Sequence, residues 1–114
     1  MKNPAAWFEI YVEDMARAKA FYESVFGVQL IRLDNPDNEM WNFPGDMATY
    51  GASGALVKMP GVRSGGNSTV VYFSCEDCAV EAAKAAKAGG KIVKEKMSIG
   101  QYGAIALVFD TEGT

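Results

Sequence analysis

One stretch of this chain occurs twice, and that repeat constrains the fold more than any other feature. Trp7 through Asp14 runs into an alanine-bearing segment and stops at Gly27, while Val70 through Asp77 runs into a second such segment and stops at Gly89 and Gly90. The Glu-Asp pair of the first copy, Glu13-Asp14, returns 63 residues later as Glu76-Asp77, which sets Gly27 against Gly90. Each copy reads as strand, acidic helix start, helix and glycine stop. A unit present only twice suggests a pseudo-symmetric pair of modules, because a solenoid needs at least three repeats to cover its faces. Two such modules leave a cleft, and the expectation is that function sits there.

Periodicity fills in the elements. Over residues 7–12, Phe8, Ile10 and Val12 point one way and Trp7, Glu9 and Tyr11 the other, the alternation of a strand. Asp14 is placed as an N-cap, Ala18, Phe21, Tyr22, Val25 and Phe26 form one helical stripe, and Gly27 is placed to end the helix with a positive φ. Strands are predicted over 28–33, 40–43 and 54–59, with turn chemistry at 34–39 and a glycine-bearing linker over 60–68. The second copy predicts a strand over 69–75, with Val71, Phe73 and Cys75 on one face and Val70, Tyr72 and Ser74 on the other. A helix with an alanine stripe follows, then strands over 91–96 and 104–109. Module one therefore reads βαβββ. Module two reads βαββ and then a turn that leaves one strand edge unpaired, so either a partner chain covers that edge or, as we expect, one more strand lies beyond residue 114.

Composition removes several function classes. The net charge is −3 with no Lys/Arg cluster, so no footprint for nucleic acid or an anionic membrane is present. No apolar run approaches the roughly 18 residues of a membrane span, and Met1-Lys2-Asn3-Pro4 does not open a signal peptide. Two cysteines make no secreted disulfide framework. The expected location is cytoplasmic. Cys75-Glu76-Asp77-Cys78 has the C-x-x-C spacing of a redox pair, but two intervening acids oppose thiolate formation, and both thiols are expected in the helix–sheet core as apolar filler. Residues 97–103 are read as a turn rather than a lid.

Four segments together resemble the vicinal oxygen chelate superfamily of glyoxalases, bleomycin resistance proteins and extradiol dioxygenases. They are Glu9 through Met15, Ala20 through Gly27, Ala88 through Ile92, and Ile105 through Gly113. The resemblance implies an α+β fold of paired βαβββ modules that form a curved mixed sheet around a central cleft. It places module one at about 5–60, the linker at 60–68 and module two at 69–114, within a single domain. It also supports the strand expected beyond residue 114, and it implies a homodimer.

The family's chemistry transfers less readily. Metal-dependent members hold a divalent ion with His and Glu from both modules, and the ion acts as a Lewis acid. By the resemblance those positions fall at Trp7, at Val70 and near Ala55, with a last one beyond the chain. The sequence contains no His, so no imidazole can ligate a metal in it. Glu9 alone is not a Mg²⁺ or Mn²⁺ site unless other groups complete it. The expectation is no cofactor; the alternative is a divalent metal, whose ligands are not evident. What remains is a cleft lined by Trp7, Glu9, Tyr11, Trp41, Tyr72 and Ser74, suited to a flat or cationic small molecule. Three functions follow: a metal-independent binder of a small organic molecule; a lyase or isomerase related to glyoxalase I, or a dioxygenase relative, with Glu9 as acid–base residue; and an interaction protein with a vestigial cleft. Saturation of Glu9 by protein donors would favour the third. For the binder, Glu9→Gln is expected to abolish binding with stability nearly unchanged.

Overall fold

The computed structural model describes residues 4–45, 48 and 50–114, so the reading of residues 1–3 as part of a leaderless start lies outside the described residues. The fold is α+β. Strand β1 (Ala5–Tyr11) leads into helix α1 (Met15–Phe26) and then β2 (Ile31–Leu33), β3 (Glu39–Asn42) and β4 (Ser53–Lys58). Strand β5 (Thr69–Phe73) leads into α2 (Cys78–Lys87), β6 (Lys91–Ser98), a 3₁₀ turn at Gly100–Tyr102, and β7 (Ala104–Phe109). Packing divides the chain into two compact units, residues 1–74 and 75–114. Among the described residues, no helix is long and apolar enough to cross a membrane.

In the first unit, five strands lie in the order β2-β3-β4-β1-β5. Strands β1 and β4 run parallel, which the α1 crossover makes possible, and the other neighbours are antiparallel. Strand β4 is central, and its middle is apolar and buried, with Ala55 and Leu56 0 % and Val57 1 % exposed. Leu56 joins Val12, Met15 and Leu30 in a core on the α1 side, and Ala55 and Val57 join Met40 on the other side. In the second unit, β6 and β7 pair antiparallel and α2 packs on both.

The helix ends follow their caps. Asp14 accepts from the Arg17 N–H at 3.0 Å, and Gly27 closes α1 at φ 64° with its N–H on the Glu23 carbonyl. Asp77 caps α2 by accepting from the Ala79 N–H. The repeat is off by one at the second stop. Gly89 takes the positive φ of 105°, whereas Gly90 is needed for a close approach, since a Cβ there would lie 2.6 Å from the Phe109 carbonyl oxygen. Strand β2 is also shorter than predicted. Residues 28–30 wrap the end of α1, where the Leu30 N–H donates to Glu23 Oε2 at 2.9 Å instead of joining the ladder. That bond, with Lys19 beside it at 3.1 Å, holds the Glu23 carboxyl below its ordinary range.

The glycine-bearing linker crosses the end of β1, because β4 and β5 flank β1 on opposite sides. It is tied down on the way. The Ser64 N–H and hydroxyl both donate to Glu13 Oε2, at 3.2 and 2.8 Å, and the Tyr11 N–H donates to the Ser68 carbonyl.

Candidate functional site

The alternation along β1 is as predicted. Phe8, Ile10 and Val12 face α1, with Phe8 and Phe43 ring centroids 5.6 Å apart, while Trp7 and Tyr11 pack on the opposite core with Met40, Ala55 and Val57. Glu9 sits between them in the middle of the sheet, level with Ala55 on β4 and Val70 on β5. Tyr72 is level with Trp7 across the β1–β5 ladder, one diagonal step from Glu9. Three ring donors converge on the one carboxylate. The Trp7 Nε1–H donates to Oε2 at 3.1 Å, and the Tyr11 and Tyr72 hydroxyls donate to Oε1 at 2.8 and 3.2 Å. All four side chains are half-buried.

This arrangement holds both phenols in their protonated form. Burial pushes the Tyr11 and Tyr72 hydroxyls well above the ordinary 10.0, and the adjacent Glu9 adds to the shift by charge and by accepting their protons in hydrogen bonds. A group whose folded pKa is raised contributes stability that is present below its unfolded pKa and is lost as pH rises toward the folded one. Folding stability should therefore decline above pH 10. In an absorbance titration at 295 nm, Tyr11 and Tyr72 are expected to ionise late, together with the loss of far-UV circular dichroism. Tyr11→Phe and Tyr72→Phe should each subtract from that late rise; a late rise that neither variant changes would refute the assignment.

The structure thus brings together Trp7, Glu9, Tyr11 and Tyr72, and it leaves out two other expected residues. Trp41 lies on the α1 side of the sheet, with its ring 4.7 Å from Lys19 Nζ and its Nε1–H donating to Glu39 at 3.0 Å. In a four-residue strand the face depends on a register that composition does not fix, and the pairing of Met40 with Val57 sends Met40 to the Glu9 face and Trp41 away. Ser74 lies one residue past β5, exposed, with its N–H on the Pro4 carbonyl. The residue that sequence reasoning missed is Asn42, whose position two residues after Met40 sets it on the Glu9 face. A polar residue within the otherwise apolar and aromatic run of residues 40–43 was the available signal.

The cysteines differ from expectation. Cys75 is exposed, because β5 ends before it, and Cys78 is half-buried. Desolvation, then the Glu81, Cys78 and Asp77 charges, push the Cys75 thiol up, opposite to the direction a reactive cysteine needs. Two cavities lie away from Glu9. One of about 410 Å³ is lined by Phe8, Tyr22, Phe26, Phe43 and Tyr50 on the α1 side, and one of about 540 Å³ is bordered by Glu13, Arg32, Asp37 and Lys58.

The residues present do not fit a metal of the kind the resemblance implies. Trp7, Val70 and Ala55 surround Glu9 at the matching positions, and none offers a ligand atom suited to a divalent ion. The Glu9 oxygens are already engaged by three protein donors. Among the described residues, no group of three or more His, Cys, Asp or Glu is placed to hold a metal.

Comparison with known proteins agrees with the fold. The profile of the Glyoxalase/Bleomycin resistance protein/Dioxygenase superfamily matches residues 5–114. CFP32 of Mycobacterium bovis and of Mycobacterium tuberculosis, named as a candidate glyoxylase, is 32% identical over 109 residues. That match covers 94% of this chain and 40% of the relative, so the chain spans about two-fifths of the length of the curated relatives it matches. Among solved structures, a Streptomyces coelicolor methylmalonyl-CoA epimerase variant in complex with 2-nitronate-propionyl-CoA superposes with a TM-score of 0.55 at 15% identity, covering 95% of this chain and 88% of that one. A methylmalonyl-CoA epimerase in complex with methylmalonyl-CoA and NH4+ superposes equally well, covering 95% and 85%.

Proposed function

Because this chain belongs to the glyoxalase/bleomycin resistance protein/dioxygenase superfamily, we propose that it binds a small organic molecule on the sheet face of Trp7, Glu9, Tyr11 and Tyr72, without a His-based metal site. The observation that carries this reading is the convergence of three ring donors on one carboxylate in the centre of that face. They fix its position and leave aromatic surface around it. A carboxylate has about four acceptor positions, so one is left for a ligand. A flat molecule carrying a cation or an N–H donor suits such a lining. A cytoplasmic homodimer remains part of the reading, and the exposed apolar side chains of Phe21, Val25 and Phe26 on α1 support the pairing.

The test is Glu9→Gln, read by isothermal titration calorimetry with benzamidine, a planar cation, as probe. Binding to the native chain and at least a tenfold weakening in the variant are expected; equal affinity would retire the role of Glu9. The structure revises the stability expected for this variant. A glutamine can accept from Trp7 through its oxygen while the two hydroxyls turn to accept from its NH₂, so a loss of about 1 kcal/mol is expected rather than none.

A second reading has one observation behind it. Saturation of Glu9 by protein donors is also what an interaction protein with a filled cleft would show. The same experiment separates the two, since that reading predicts the stability loss with no probe bound by either protein.

A further inference from the structure

The α1 side of the sheet carries an open hollow that the Glu9 site does not use. Its volume is about 410 Å³, and residues from the end of α1 and from the chain joining β3 to β4 border it. Phe8, Phe43, Tyr22 and Phe26 form one continuous wall of rings. Successive centroids are 5.6, 5.6 and 6.5 Å apart, and the contacts are tilted, edge-on and stacked in turn. Those are the spacings of aromatic rings in favourable contact. The wall is nevertheless left open to solvent. Phe26 is 63 % exposed, and Tyr50, which also borders the hollow, is 93 % exposed. Contiguous bare aromatic surface of this kind marks a place where something else binds.

Two observations choose what binds. The volume is on the scale of a small-molecule site, whereas a stable contact between two copies spreads over about 800 Å² on each. Among the described residues, the lining contains no Asp, Glu, Lys or Arg. Nothing there would offset the cost of stripping water from a charged ligand. We infer that the hollow binds a flat, uncharged aromatic molecule of a few fused or linked rings, laid against the wall of Tyr22, Phe26 and Phe43 with Tyr50 completing the contact. It lies on the opposite side of the sheet from Glu9, so it is a second site that stands or falls independently of that face, and its ligand chemistry differs in excluding charge.

The test uses a matched pair of fluorescent probes that brighten in apolar surroundings. N-phenyl-1-naphthylamine is uncharged, and 8-anilinonaphthalene-1-sulfonate has the same rings with a sulfonate added. Both are titrated into the native chain in high salt, which screens the net charge of −3. The uncharged probe should saturate at one per chain and bind about fivefold or more tightly than the sulfonate. Tyr50→Ser should weaken it about threefold or more with the melting temperature unchanged, since the bare side chain adds little to the packing of the fold. Ala52→Trp, at an exposed position that lines the hollow, should fill the space and abolish binding while the chain still melts cooperatively. The inference is overturned if the uncharged probe does not saturate, if the sulfonate binds as well, or if either variant binds like the native chain. Probe affinity that falls as the chain concentration is raised would assign the rings to a contact between copies and overturn it too.

Discussion

Gly54→Ala is expected to destabilise the protein by about 3 kcal/mol, on the order of 10 °C in melting temperature. Replacing glycine in a strand by alanine ordinarily helps, because it narrows the unfolded ensemble by roughly 0.4–1 kcal/mol. Here the packing reverses the sign. Gly54 lies on β4 directly beside Phe8 of β1, and a Cβ at this position would lie 2.4 Å from the Phe8 carbonyl oxygen and 2.6 Å from two atoms of its ring. A ring can turn aside, but the carbonyl belongs to the parallel ladder that joins the two central strands, so relief would require the strands to part. A urea or thermal melt by circular dichroism reads the effect. Phe8→Leu in the same chain should rescue only part of it, because the backbone clash remains. A single variant that melts within a degree of the native chain would mean that β1 and β4 are further apart than described.

Glu9→Leu should cost about 2–4 kcal/mol, more than Glu9→Gln, because three donors lose their acceptor at once and leucine offers nothing in exchange. The half-buried position sets the upper limit, since water can reach part of the gap. The phenols report the same change independently. Burial is the largest cause of the raised Tyr11 and Tyr72 values and would persist, whereas the charge and the hydrogen bonds of Glu9 would go. Their ionisation in the variant should therefore begin at lower pH than in the native chain, yet above the ordinary phenol value. If the 295 nm titration of Glu9→Leu overlays that of the native protein, the carboxylate does not face the two hydroxyls.

What could be read from the chain beforehand was whatever is decided within a few residues. Asp14 and Gly27 mark the ends of α1 because capping chemistry is local, and the two faces of β1 follow from alternation over residues 7–12. The grouping of Trp7, Glu9 and Tyr11 on one face is of this kind. What escaped depended on partners distant in sequence. Trp41 went to the α1 side because a short strand takes its facing from the register with β4. Residues 28–30 left the sheet because a side chain on the preceding helix, Glu23, captured the Leu30 amide. The exposure of Cys75 follows from the end of the β1–β5 ladder at Phe73. Asn42 drew no notice because its peculiarity is that no described residue donates to its buried Oδ1, and that is a property of the assembled sheet.

The strap between β4 and β5 reads in the sequence as a tether, yet its fastening to Glu13 gives it the mechanics of a clasp. Bonding to Ser64 holds the Glu13 carboxyl below its ordinary value of 4.5, so the fastening is complete above that pH and is released as pH falls through the lowered value. The segment cannot be shortened freely, since it must bridge the width of β1 from one flank to the other. A chain cut there would still have β5 laddered to β1, so the scission would open a loop and leave the sheet joined.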